Sequence, residues 1–368
     1  MTRGFIIYAP IKNSPLPEAR FSYSLDEKEK LIAAVEGFEF FTANQHPVWS
    51  EIANPRARPC YFTGYRDGKI VSFAIILEKF KHARIFFGPV ATTDDDLMES
   101  IAAIAGNYRK KGFGILTVQL GITSGQRTEQ LEYRLFNRIK FQQKFDAATW
   151  SSITLDLNEE ESKLFSNLSE NHRRSVRKAE KAELTVREID DLELMKQFAG
   201  IYDRMYETRR IKKPFDDTSK TFSNALSFVR DFKKGVVLGV FDAGNALIGG
   251  VLLLYEKNTV FYQYGATDPE KKNVPILHLA FWKAIQLAKQ KGFRYFDFGG
   301  YNHFAAPGDQ VSQINRFKDG FNGRCVFYPK LMYFNLGFPH YQIISAAHFL
   351  YKLKNQAAEI FKKKQKAG

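Results

Sequence analysis

The chain has 368 residues, of which 44% are hydrophobic and 15% aromatic, enough to build a core and to exclude wholesale disorder. A net charge of +14 suits an RNA, an anionic membrane surface or a phosphorylated substrate, and says little about fold. Two cysteines, Cys60 and Cys325, point to a reducing cytosol rather than a disulfide framework, and no apolar stretch approaches the roughly 20 residues that span a bilayer.

The opening MTRGFIIYAP carries an apolar run too short for a signal segment and ended by Pro10. From Tyr61 a series of elements begins. YFTGYRDGKIVSFAIILEKF reads as two strands around a turn at Asp67-Gly68, and ARIFFGPVATT as a third. DDDLMESIAAIAGNYRKKGF has helical spacing, with Leu97, Ile101, Ile104 and Tyr108 on one face and acids in its first turn. ILTVQLG closes the series as a strand.

Next comes a basic stretch, NHRRSVRKAEKA, with five basic side chains in Asn171–Ala182. Leu164, Leu168, Val176 and Ala179 form its buried stripe, while Arg173 and Arg177 share one outer face. Glutamates nearby make a solvated face one reading. The other is an anion site, for which the planar fork of arginine is well suited. A strand-like LTVREI and two helical segments follow.

From Val236 the earlier series returns. VVLGVFDAGNALIGGVLLLYEKN gives two strands around Gly244-Asn245, TVFYQYGAT the third, and NVPILHLAFWKAIQLAKQKGF the helix, with Pro275 acceptable in its first turn. YFDFGG closes it. Both helices end in Lys-Gly-Phe, at Gly112 and Gly292, and the turn glycines Gly68 and Gly244 keep nearly the same separation. A short helix, QINRFKDGF, and a strand, GRCVFYP, complete the second series. This element order resembles a GNAT-type acyltransferase. The expected fold is α/β with mixed sheets, as two tandem GNAT-like domains over 1–150 and 151–335, followed by a C-terminal basic helical tail over 336–368.

Four local features carry a further resemblance, to the Fem family of peptidoglycan bridge-building aminoacyltransferases. They are the basic run SENHRRSVRKAEKAELTV, the YETRRI that follows the first long helix, Tyr-x-Tyr-Gly-Ala with LAKQKGFRYFDFGG, and RFKDGF. The first half matches in architecture only. The resemblance implies transfer of an aminoacyl group from aminoacyl-tRNA onto a peptidoglycan precursor, nucleotide-linked or lipid-linked, in the cytoplasm. The basic surface would allow peripheral contact with the inner face of the membrane. No long helical arm fits between Thr208 and Val236.

An acetyl-CoA-dependent GNAT cradles pyrophosphate in a glycine-rich loop at a helix N-terminus. Here the corresponding loops are TDPEKKNVP, with no glycine, and GPVATTDDD, with three acids at the helix start. No cofactor is therefore expected, and no metal, since no ligand spacing of the usual kinds is present. On the resemblance, Lys318 with Phe317 carries the catalytic step: aminolysis of an ester needs charge stabilised on the oxyanion or departing oxygen, and a fixed ammonium does that. Arg173, Arg177 and Arg210 are candidate phosphate ligands. Tyr262 and Tyr264 should share one strand face, with Tyr264 lining the cleft. Asp297 or His303 could act as a base. Two other readings stay open. One is an N-acyltransferase with a different acyl donor, and the other is a non-catalytic GNAT-like protein that binds an anionic ligand.

Overall fold

The repeat in the sequence is a repeat of sheets. The computed structural model describes residues 21–38, 42–123, 125–143, 151–303 and 310–337, with a few scattered positions besides. The first half gives β1 (Ser22–Leu25), α1 (Lys28–Ala34), α2 (Pro47–Ala53), β2 (Arg58–Arg66), β3 (Lys69–Lys79), β4 (His82–Phe86), β5 (Val90–Ala91), α3 (Asp94–Lys110), β6 (Ile115–Gln119), α4 (Gln126–Arg138) and β7 (Gln142–Gln143). The second gives β8 (Ser151–Asp156), α5 (Glu161–Asn167), α6 (Glu170–Lys181), β9 (Thr185–Glu188), α7 (Leu192–Thr208), α8 (Thr218–Asp231), β10 (Gly235–Phe241), β11 (Leu247–Tyr255), β12 (Thr259–Thr267), α9 (Ile276–Gln290), β13 (Tyr295–Tyr301), α10 (Gln310–Asp319) and β14 (Arg324–Phe327), after which comes β15 (Met332–Asn335).

The first sheet runs β1-β2-β3-β4-β6-β15-β7 and the second, read in the same sense, β9-β10-β11-β12-β13-β8-β14. Each has one parallel pair, β4 with β6 and β12 with β13, as a strand–helix–strand crossover requires. The orders match except for one exchange. β8 follows the first half directly yet sits in the second sheet, and β15 follows the second half yet pairs with β6 and β7 of the first. The segment around Met332–Asn335, grouped by sequence with the second domain, thus hydrogen-bonds in the first sheet. The expected C-terminal tail lies almost wholly outside the described residues.

Local sequence explains the matching turns. Asp67 (φ +48°) and Gly68 (φ +74°) form the two-residue hairpin turn, whose left-handed backbone suits the strand twist. α3 and α9 end alike. Gly112 and Gly292 take positive φ, and Phe113 and Phe293 donate back to the Tyr108 and Ala288 carbonyls, each at 3.0 Å. The basic stretch departs from one continuous helix: the chain breaks at Leu168-Ser169, where the Ser169 hydroxyl caps α6.

Each sheet is covered on both faces. One face of the second packs α9 through Phe281 onto Val251, Leu253 and Phe298, and the other packs α7 and α8 through Phe198 and Phe222 onto Leu252 and Leu254. Each such large buried side chain contributes about 1.5–3 kcal/mol. The α7–α8 core continues into the first half, where Trp49 and His46 lie against Phe228. Among the described residues no helix is long and apolar enough to cross a membrane.

Candidate active site

β12 and β13 pair only at Thr259↔Tyr295, Val260↔Phe296 and Phe261↔Asp297, and then part. Both strands are irregular at that level. β12 bulges between Tyr262, opposite Leu253, and Tyr264, opposite Leu252, leaving Gln263 unpaired. β13 slips against β8 between Asp297 and Gly300, where Gly299 adopts φ +73°. Bulges bend strands and re-aim side chains. At that level a cleft of about 520 Å³ is lined by β12, α9, α10 and the C-terminal end of α7.

The bulge corrects one expectation. Tyr262 and Tyr264 do not share a face. Tyr262 packs on Phe281 at 4.8 Å and lines the cleft, whereas Tyr264 stacks on Phe222 at 5.8 Å in the opposite core, near Trp49. A strict alternation of side chains places two tyrosines two residues apart together, and one inserted residue reverses the second. Gly265 completes the arrangement: a Cβ there would lie 2.6 Å from the Tyr262 hydroxyl.

Lys318 and Phe317 come together in the cleft, on the last turn of α10. Lys318 is not a solvated lysine. It is 6% exposed, and its ammonium donates to the Gly300 carbonyl at 2.6 Å. Burial holds it down to about 8, against the pull of the Asp297 carboxylate. Asp297, 4% exposed, is itself raised by burial, an effect countered by hydrogen bonds from Ser152 and the Gly299 amide and by the charge of Lys318. It fixes the Gly299 turn. α10 is further tied to β13 by Asn315, which exchanges hydrogen bonds with the Asn302 backbone at 2.7 and 3.3 Å. His303, the other base candidate, lies against Phe327 and Cys325.

The arginines fall elsewhere. Arg210 is exposed, in the left-handed conformation just past α7, and it is Arg209 that lines the cleft. Arg173 and Arg177 line a separate surface hollow of about 520 Å³, with Arg174, Lys178 and Lys181. Arg173 donates to the Ser166 carbonyl at 2.6 Å and to that of Leu168, closing the end of α5. Arg177 stacks over Phe165 at 5.6 Å, Arg174 pairs with Glu170 at 2.8 Å, and Lys178 reaches the Asn273 carbonyl, in the loop before α9, at 3.1 Å. Sequence reasoning preferred Tyr264 to Tyr262 and Arg210 to Arg209, and it missed Phe281. The Tyr-x-Tyr-Gly pattern held the signal for Tyr262, since a glycine inside a strand marks bulges and close approach.

An ammonium as buried as that of Lys318 acts strongly on negative charge that develops beside it, because burial weakens solvent screening. Among the described residues no group of three His, Cys, Asp or Glu side chains is placed to hold a metal.

The acetyltransferase (GNAT) domain family matches residues 166–318, a span that ends on Lys318. Among curated proteins, no sequence matches the chain. Among solved structures, FemX aligns over 88% of this chain and 99% of its own, at 15% identity and a TM-score of 0.73. The C-terminal domain of a putative lysylphosphatidylglycerol synthetase from Agrobacterium fabrum aligns over 88% and 98%, at 11% identity and a TM-score of 0.60. A tandem GNAT protein from the clavulanic acid biosynthesis pathway aligns over 87% and 100%, at 11% identity and 0.53. At these identities the likeness is one of fold, and the chain has a two-domain, Fem-like GNAT fold.

Proposed function

We propose that the chain transfers an acyl group onto an amine in the cleft of the second sheet. The acyl group is an aminoacyl ester of tRNA, and the amine belongs to a peptidoglycan precursor peptide. The observation that carries this reading is Lys318, a buried ammonium beside Phe317 in an apolar cleft. The amine nitrogen attacks the ester carbonyl, a C–N bond forms and the bond to the ribose oxygen breaks. Lys318 stabilises the oxyanion between these events, and the amine's proton leaves with the ribose oxygen. No covalent enzyme intermediate is needed. Arg209 at the cleft wall steers an anionic part of one substrate. The motifs that resemble the Fem family support an aminoacyl donor and a cell-wall acceptor.

A second reading keeps the chemistry and changes the donor to an acyl thioester. The match to the acetyltransferase domain favours it. Against it stands the loop before α9, which has no glycine and whose Asp268 accepts the Glu270 amide for itself, at 3.1 Å.

The test is to supply a pool of charged tRNAs with a nucleotide-linked or lipid-linked muramyl peptide and read the peptide mass. A gain of one aminoacyl residue, formed far more slowly with Lys318→Met, is expected. No gain from any charged tRNA, with modification from an acyl-CoA instead, would replace the first reading by the second.

A further inference from the structure

α6 and α10 meet at a junction behind Phe317 of the cleft, where His172 is buried. The Ser169 amide donates to the Gly320 carbonyl at 2.8 Å, and the Ser169 hydroxyl accepts the His172 amide at 3.3 Å. The imidazole of His172, 4% exposed, then bridges the two helices. Its Nε2 lies 2.9 Å from the Phe317 carbonyl oxygen and its Nδ1 lies 3.1 Å from Ser169 Oγ. A carbonyl can only accept, so Nε2 carries the proton and Nδ1 accepts from the serine hydroxyl. Burial lowers the His172 pKa and keeps the ring neutral, as this pattern requires.

The Phe317 carbonyl is one of the last in α10, where intrahelical donors run out. The amide four residues on, that of Phe321, turns instead to the Lys318 carbonyl at 3.1 Å, and that of Gly320 goes to Arg316 at 3.3 Å. The imidazole supplies the missing donor. It lies flat on Gly320, where any Cβ would overlap the ring. His278 of α9 closes the other side, 4.6 Å from the His172 ring and 5.0 Å from that of Phe317. The charged and titratable groups facing this turn include His172 and His278, Asp297 of β13, Tyr262 and Arg209 at the cleft, and Asp319 on the turn itself, which accepts from the Tyr301 hydroxyl at 3.2 Å.

We infer that His172 is a positioning residue: it caps α10 at Phe317 and thereby fixes the turn that aims Lys318 into the cleft. The inference rests on Lys318 being the working group of the proposed transfer, yet the placement itself is tested without any substrate. Trace acetylation with acetic anhydride across neutral to alkaline pH, followed by peptide mass mapping, reads the titration and accessibility of Lys318 alone. In the wild type, Lys318 should titrate at about 8, below the ordinary lysine range. His172→Leu should move that titration up by about one unit or more toward the ordinary lysine range, as the turn loosens and water reaches the ammonium. His172→Gln, which keeps an N–H within reach of Phe317, should restore it. A folded His172→Leu protein whose Lys318 titrates as in the wild type overturns the inference, and so does a glutamine variant that behaves like leucine. If the leucine variant fails to fold, Ser169→Gly decides, since it releases Nδ1 from the hydroxyl, leaves the ring, and puts at the N-cap of α6 a residue that is tolerated there. A smaller shift in the same direction supports the inference, and an unchanged Lys318 overturns it. Loss of transfer activity with any donor would leave this readout intact, so the two proposals fail separately.

Discussion

The two sheets share a topology and differ at one seam. In the first, β4 and β6 stay in register from His82↔Ile115 to Phe86↔Gln119, and the Gly88 amide extends the ladder to the Gln119 carbonyl at 3.0 Å. In the second, the equivalent strands part after Phe261↔Asp297. The helices beside the seam differ to match. α4 is fastened to α3 by Arg127–Asp94 at 2.7 Å, Arg138–Glu99 at 2.8 Å and Arg134–Asp95. α10 instead presents Lys318 to the gap. A zipped seam makes a scaffold. One inserted residue, Gln263, and one left-handed glycine, Gly299, turn the same architecture into a cleft with a buried charge.

The contrast can be broken most severely at Lys318. Lys318→Met should lower single-turnover transfer by about 10²–10³, roughly 3–4 kcal/mol, with substrate affinity and folding retained. A variant with wild-type turnover removes the cleft from the chemistry. On the closed side, Asp96→Ala should cost about 3 kcal/mol of stability, read by denaturant unfolding, and leave the rate per folded molecule unchanged. Asp96 is buried, which raises its pKa, but hydrogen bonds from Thr93, Arg66 and Thr92 outweigh that and hold it below its usual value. Its folded pKa is depressed, so its contribution is full above about pH 4 and is lost as pH falls through the depressed value.

Smaller changes sharpen the contrast. Gly265→Ala should displace the Tyr262 ring and slow transfer on the order of 10-fold or more, since small misplacements in a reacting site are costly. An unchanged rate would mean that Tyr262 is wall only. The smallest effect belongs to Arg210, a non-glycine residue at φ +54° after α7. Arg210→Gly should stabilise by at most about 1 kcal/mol and leave affinity alone, whereas Arg209→Ala should weaken substrate binding. Equal loss from both would return Arg210 to the site.

Much of this was legible in the sequence. The doubled order of elements, the Asp67-Gly68 turn and the two Lys-Gly-Phe helix ends all depend on local rules, hydrophobic period and left-handed glycine positions, and all appear in the sheets and caps. The pairing of Phe317 with Lys318 in one cleft was also readable, from the motif that contains them. What escaped depends on contacts distant in sequence. The pairing of β15 with β6 and β7 of the first sheet leaves no local mark, because that strand would read the same in either sheet. The reversal of Tyr264 needs the register against β11. Arg173 looked free on a helical wheel, since the carbonyls it closes belong to a helix end that the wheel ran through. His172 looked like one more polar residue in a basic run until α10 was placed against it.

The central claim is that Lys318 works as a buried ammonium in the parted seam. The most direct measurement is the pH dependence of single-turnover transfer in the wild type and in Lys318→Met. With Lys318 held down to about 8, the charged form is lost as pH rises through that value, so the wild-type rate should fall there. The residual rate of the methionine variant should lack this limb. A wild-type rate that climbs through the same range would make the neutral amine the active form, and one that stays flat, or a limb that survives in Lys318→Met, would contradict the account.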